Sequence, residues 1–111
     1  MIKMNYKTIE PIKTQLESGI SDREMWHERG APERAREYIE YAIDKINDPS
    51  FFCNTESNLR LVKDYIDVSI DTLNSYVSTI ENPVFYSDSI RFFKDANRTL
   101  VYLMENDEVG V

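Results

Sequence analysis

Apolar side chains recur along this chain at three- and four-residue steps, the period of helices that each bury one face. Ile9, Ile12 and Leu16 predict a first helix over residues 8–18. Thr8 would be its N-cap, Pro11 would sit in the first turn where a missing N–H is harmless, and Gly19 would be the left-handed residue past its end. Ser21-Asp22-Arg23-Glu24 has capping-box spacing and predicts a short second helix through Met25 and Trp26, stopped at Gly30. A third helix, with Pro32 as its first residue, runs to about Asn47 on Ala35, Tyr38, Ile39, Ala42, Ile43 and Ile46. Asn47-Asp48-Pro49 ends it, and residues 50–54 form a connection unusually rich in aromatics.

The fourth helix is predicted to be the longest, from Thr55 or Glu56 to Ile80. Leu59, Val62, Ile66, Ser69, Leu73, Tyr76 and Ile80 line its main seam, while Leu61, Tyr65, Val68, Ile70 and Val77 widen the apolar arc. Such a helix occupies the middle of a bundle or lends a flank to a partner. After Asn82-Pro83, Ser87 is the expected cap of a fifth helix carrying Ile90, Phe93, Asn97, Leu100 and Met104, with a frayed acidic tail over residues 105–111. Short connections favour antiparallel neighbours. The expectation is an all-α, up-and-down bundle in one domain over residues 1–111: three long helices plus one or two short N-terminal ones.

Composition narrows the function classes. The chain has 111 residues, 41% hydrophobic and 30% charged, a globular balance with enough apolar side chains to build a core. Its net charge of −7 repels phosphate backbones and anionic membranes, so direct nucleic-acid binding is disfavoured and basic protein surfaces are favoured. One cysteine, Cys53, allows no intrachain disulfide and suits a reducing compartment. The opening residues carry no signal-peptide-like apolar stretch, and no run approaches the ~20 residues of a bilayer span. A cytoplasmic location is the expectation.

Conventional catalytic signatures are missing from the sequence. His27 is the only histidine, so Glu24-Met25-Trp26-His27 lacks the second Glu-x-x-His of a di-iron site, and His27-Glu28 lacks the second histidine of a zinc protease. The glycines are dispersed and form no phosphate loop. No catalytic residue and no cofactor is assigned.

Charge patterning says more. Glu33, Glu37, Glu40 and Asp44 recur along the third helix opposite its apolar face, and Asp64, Asp67 and Asp71 do the same on the fourth. Like charges at this spacing repel, so helix stability is not their reason. A plain solvated face accounts for such stripes; docking on a basic surface of another protein also does, because carboxylates on a rigid helix occupy Lys and Arg sites much as phosphates do. Small acidic inhibitors of nucleases and defence complexes, of phage and bacterial accessory type, are similar in kind. The leading expectation is therefore a non-enzymatic inhibitor or regulator that docks on a basic, nucleic-acid-handling protein.

An alternative follows from Glu37-Tyr38-Ile39-Glu40 and Asp64-Tyr65-Ile66-Asp67, two pairs of carboxylates each one turn apart. The pattern resembles the Glu-x-x-Glu and Glu-x-x-Asp motifs of MazG-like, all-helical nucleotide pyrophosphohydrolases, with Asp64 where that family has Glu. The resemblance covers the third and fourth helices only and implies a magnesium site on Glu37, Glu40, Asp64 and Asp67. On the fifth helix, Arg91, Lys94 and Arg98 form a basic stripe with Tyr102 nearby. Asp95 can pair with either arginine, or the stripe can receive an anion or the acidic stripe of a second copy, giving a homodimer or assembly subunit. Trp26, Phe51, Phe52, Phe85 and Tyr86 cluster around predicted helix ends and are expected to cap the bundle, while Phe51 and Phe52 become docking candidates if their loop is exposed.

Overall fold

A computed structural model of the chain describes residues 6–21, 30–80 and 84–106. Its order is α1 (Tyr6–Gly19), α2 (Ala31–Asn47), a 3-10 turn (Phe51–Asn54), α3 (Thr55–Val77) and α4 (Val84–Asn106), with no strand among the described residues. The expected short helix after Ser21, His27, the break at Asn82-Pro83 and the tail beyond Asn106 lie outside the described residues.

Most predicted apolar positions are buried, but on α4 Ala96 and Leu103 go in where Asn97 and Met104 were expected, the latter two being half-buried. Ile9, Ile12 and Leu16 of α1, Ala35, Ile39, Ala42 and Ile46 of α2, Leu59, Val62, Ile66 and Leu73 of α3, and Phe93, Ala96 and Leu100 of α4 are buried in one shared core. α2 packs most extensively on α3, and α1 on α4. Tyr6 of α1 bonds Asn47 at the end of α2, Ser69 of α3 meets Ala35 of α2, and Ser89 of α4 meets Gly19 of α1. These pairings make sequential helices antiparallel and α1 antiparallel to α4: an up-and-down bundle of four. Both buried serines are satisfied, Ser69 Oγ donating to the Ala35 carbonyl at 2.8 Å and Ser89 Oγ to the Gly19 carbonyl at 2.7 Å. No described helix is long and apolar enough to cross a membrane.

Several boundaries differ from expectation for local reasons. α1 is already helical at Tyr6, so Thr8 is not its cap and Pro11 lies inside the helix. Pro11 and Lys7 are both exposed, and Pro11, having no N–H, cannot donate to the Lys7 carbonyl one turn back. Gly19 is not left-handed: only Gly30 has positive φ among the described residues, at 91°. α1 instead ends through i+3 bonds, Ile20 N–H to Glu17 and Ser21 N–H to Ser18, with Ser89 covering the Gly19 carbonyl. What glycine supplies at 19 is space, since a Cβ there would stand 2.3 Å from the Phe93 ring. Gly30 serves as the N-cap residue of α2, and Pro32 lies in the first turn as its second residue after Ala31 rather than as its first. Ser87 is not a cap either, because α4 starts at Val84, and α3 ends at Val77 rather than Ile80.

The turn after α2 is an Asx-type turn. Asp48 Oδ1 accepts from the Ser50 backbone N–H and from Ser50 Oγ, both at 2.8 Å. The backbone bond first, then the hydroxyl, hold the Asp48 carboxyl below its usual value of 3.8. A folded-state pKa below the unfolded one stabilises the fold above the unfolded pKa, and that contribution disappears as pH falls through the folded pKa. Asp48→Asn is therefore expected to show a small stability deficit at about pH 7 that closes below about pH 3.8. Urea midpoints of both proteins across that range check it; a deficit that is constant down to about pH 2 contradicts the assignment.

Candidate protein-docking face

Helical geometry advances about 100° per residue, so Tyr38 and Tyr41 fall on one flank of the α2 core stripe and Tyr65 on one flank of the α3 stripe. Antiparallel pairing brings these flanks together on the outside of the α2–α3 seam. Tyr41 lies 6.2 Å from Tyr38 edge-on and 5.8 Å from Tyr65, and Tyr38 lies 6.3 Å from Tyr65. Tyr41 is 50% exposed, and Tyr38 and Tyr65 are half-buried. Along α3 the patch continues into Val68, 41% exposed, and half-buried Leu61. None of the three tyrosine hydroxyls bonds another described residue.

Carboxylates border this patch on both long sides. On α2, Glu37 stands one turn before Tyr41 and belongs to the stripe of Glu33, Glu37, Glu40 and Asp44 opposite the core. Glu40 is approached by Arg36 Nε at 3.5 Å, whereas Glu33, Glu37 and Asp44 have no cationic partner among the described residues. On α3, exposed Asp64 and Asp71 lie one turn either side of Val68, again without a cationic partner there. Arg34 and Lys45 continue the tyrosine row of α2 one turn beyond each end, so the patch has acidic sides and cationic tips.

Asp67 departs from the expected stripe. It is turned toward α4, accepting from Lys63 Nζ at 2.6 Å and from Asn97 Nδ2 at 2.8 Å. This carboxylate ties α3 to α4 and stands apart from the other stripe residues; it sits about 100° round the helix from Ile66, on the flank away from Tyr65. The same rotation separates the four acids of the MazG-like pattern. Glu40 is on the outer side of α2 beside Arg36, Asp67 faces α4, and no described group of three or more His, Cys, Asp or Glu is placed to hold a metal ion.

The Phe51-Phe52 loop is likewise not a free docking loop. Phe51 is fully buried and its carbonyl accepts from Asn58 Nδ2 at 2.8 Å. Half-buried Phe52 stacks edge-on against Phe51 at 5.1 Å and stands 6.3 Å from Tyr6, closing that end of the bundle. Tyr86, buried and edge-on to Tyr76 at 5.6 Å, lies near the start of α4 as expected. On the basic stripe of α4, Arg91 pairs with Asp88 at 3.3 Å and Arg98 with Asp95 at 3.2 Å. Lys94 is exposed with no described carboxylate partner, and Tyr102 is exposed. Exposed pairs of this kind contribute ~0–1 kcal/mol, so two of the three cations of the stripe are paired without being locked.

Spacing alone does not reveal the tyrosine patch, because Tyr38 counts as apolar in a periodicity and falls among the core-face positions. The available signal was the excess width of the α3 arc at Leu61, Tyr65 and Val68, wider than two neighbouring helices cover. No protein-family model, curated protein or solved structure matches the chain.

Proposed function

We propose that this protein is a helical binding module that docks on a basic protein surface through the outer α2–α3 face, acting as an inhibitor or regulator of a nucleic-acid-handling partner. The observation that carries the proposal is the join of an exposed aromatic patch to two acidic borders: Tyr38, Tyr41, Tyr65 and Val68 between Glu33, Glu37 and Asp44 on one side and Asp64 and Asp71 on the other. Aromatic anchors supply contact area at the centre of an interface, and charges at its rim set partner choice and encounter rate. A solvated acidic helix needs no aromatic flank beside it. The net charge of −7 adds long-range attraction toward a cationic surface.

The test is capture with a matched control. A Glu37→Lys, Asp64→Lys variant reverses one carboxylate on each border while touching no ion pair and no core side chain among the described residues. The wild type is expected to retain a basic protein that the variant loses, and the purified pair is expected to bind at least about tenfold more weakly when the variant replaces it, a difference of ~1.4 kcal/mol. Rising salt should weaken the wild-type complex, and competing nucleic acid should displace it. Equal capture by both proteins, each with an unchanged helical circular-dichroism spectrum, would remove this face from the account.

A further inference from the structure

We infer that the groups received by the α2–α3 face are arginine side chains of the partner rather than lysines, an inference that rests on the docking reading above and names its partner chemistry. Three tyrosine rings lie within 5.8–6.3 Å of one another at the seam, and among the described residues no cation of this chain stands over any of them. Arg34 and Lys45, a turn from Tyr38 and Tyr41, do not stand over these rings. A ring face is a site of negative potential, and a planar guanidinium stacks on it while its N–H edge still reaches a carboxylate. Glu37 has that relation to Tyr41, sharing its side of α2 one turn away and lacking a described cationic partner. Val68 and Leu61 continue the patch as an apolar floor on which the methylene stem of an arginine can lie. A lysine ammonium, compact and strongly hydrated, meets the carboxylates but gains little from a stacked ring.

Dye-labelled arginine and lysine homopeptides of equal length, titrated with the full chain at low salt and read by fluorescence anisotropy, separate the terms. The arginine peptide is expected to bind about fivefold or more tightly than the lysine peptide, as ring stacking at a part-exposed site implies. Tyr41→Phe should keep that preference and Tyr41→Leu should erase it, while both variants retain the wild-type melting temperature within a few degrees. Tyr41 is half exposed on a helix surface, and a Tyr41→Ala variant gives a second reading if the leucine side chain alters folding. Equal affinity for both peptides, or a preference that survives Tyr41→Leu and Tyr41→Ala, overturns the arginine inference and leaves the acidic docking face standing. Binding of neither peptide overturns the docking reading as well.

Discussion

Phe51→Ala is expected to destabilise the protein by ~3–5 kcal/mol, the range for deleting a fully buried aromatic ring. Phe51 has no exposed surface, and its backbone carbonyl is held by Asn58, so the surrounding end of the bundle has little freedom to collapse into the space left behind. Since small domains have a total stability of only ~5–15 kcal/mol, the variant should unfold at markedly lower urea concentration. Phe52→Ala, which removes a half-buried ring stacked on Phe51 and near Tyr6, should cost clearly less. Neither change should lower the affinity of the folded protein for a basic partner. If Phe51→Ala left stability intact and abolished binding, the loop would be a docking element after all.

Gly19→Val is expected to cost ~3 kcal/mol, the upper part of the range for forcing extra atoms into a packed core. A Cβ at this position would meet Phe93 Cε1 at 2.3 Å and Cδ1 at 2.9 Å, and Phe93 is itself fully buried. The removal of a helical glycine would return ~1 kcal/mol at most, so steric overlap decides the sign. Phe93→Leu in the same chain should recover part of the loss, because residues in contact couple non-additively. Rescue distinguishes the two roles a glycine can have: a residue needed for left-handed backbone would gain nothing from a smaller neighbour. Urea unfolding of the two single variants and the double variant gives the coupling directly.

These two positions also mark where the sequence was legible and where it was not. Most of the buried stripe of each described helix follows from three- and four-residue spacing, because burial of one face is a local consequence of helix geometry; the α4 stripe centres on Ala96 and Leu103 rather than Asn97 and Met104. Pro32 and Asp48 punctuate α2 as their chemistry requires. Gly19 misled because a glycine after an apolar stripe has two explanations, backbone freedom and close approach, and the second depends on Phe93, more than seventy positions away. Phe51 stays open in the sequence for a related reason: a two-phenylalanine connection caps the bundle or stands exposed according to how the helix ends meet around it, and here it is buried.

The candidate site was half legible. Glu33, Glu37, Asp44, Asp64 and Asp71 stand on outer helix faces as the charge pattern implies. Asp67 shares their spacing but lies far enough round α3 to meet Asn97, a pairing set by the register of α3 on α4. Tyr38, Tyr41 and Tyr65 become one patch only when α2 and α3 are aligned antiparallel, with Ala35 beside Ser69. Hydropathy assigns an aromatic ring at the edge of an apolar stripe to the core, whereas the neighbouring helices determine how much of it is covered.

The most direct test of the central claim is a map of where a basic ligand lands. Backbone amide chemical shifts should be recorded during titration of the isotope-labelled full chain with the arginine homopeptide, first at low and then at high salt. The account predicts shifts concentrated on Glu37, Tyr38, Tyr41, Asp44, Asp64, Tyr65 and Val68, fading together as salt rises. Shifts spread evenly over every acidic side chain, or centred on α1 and α4 with the α2–α3 seam unmoved, would contradict it.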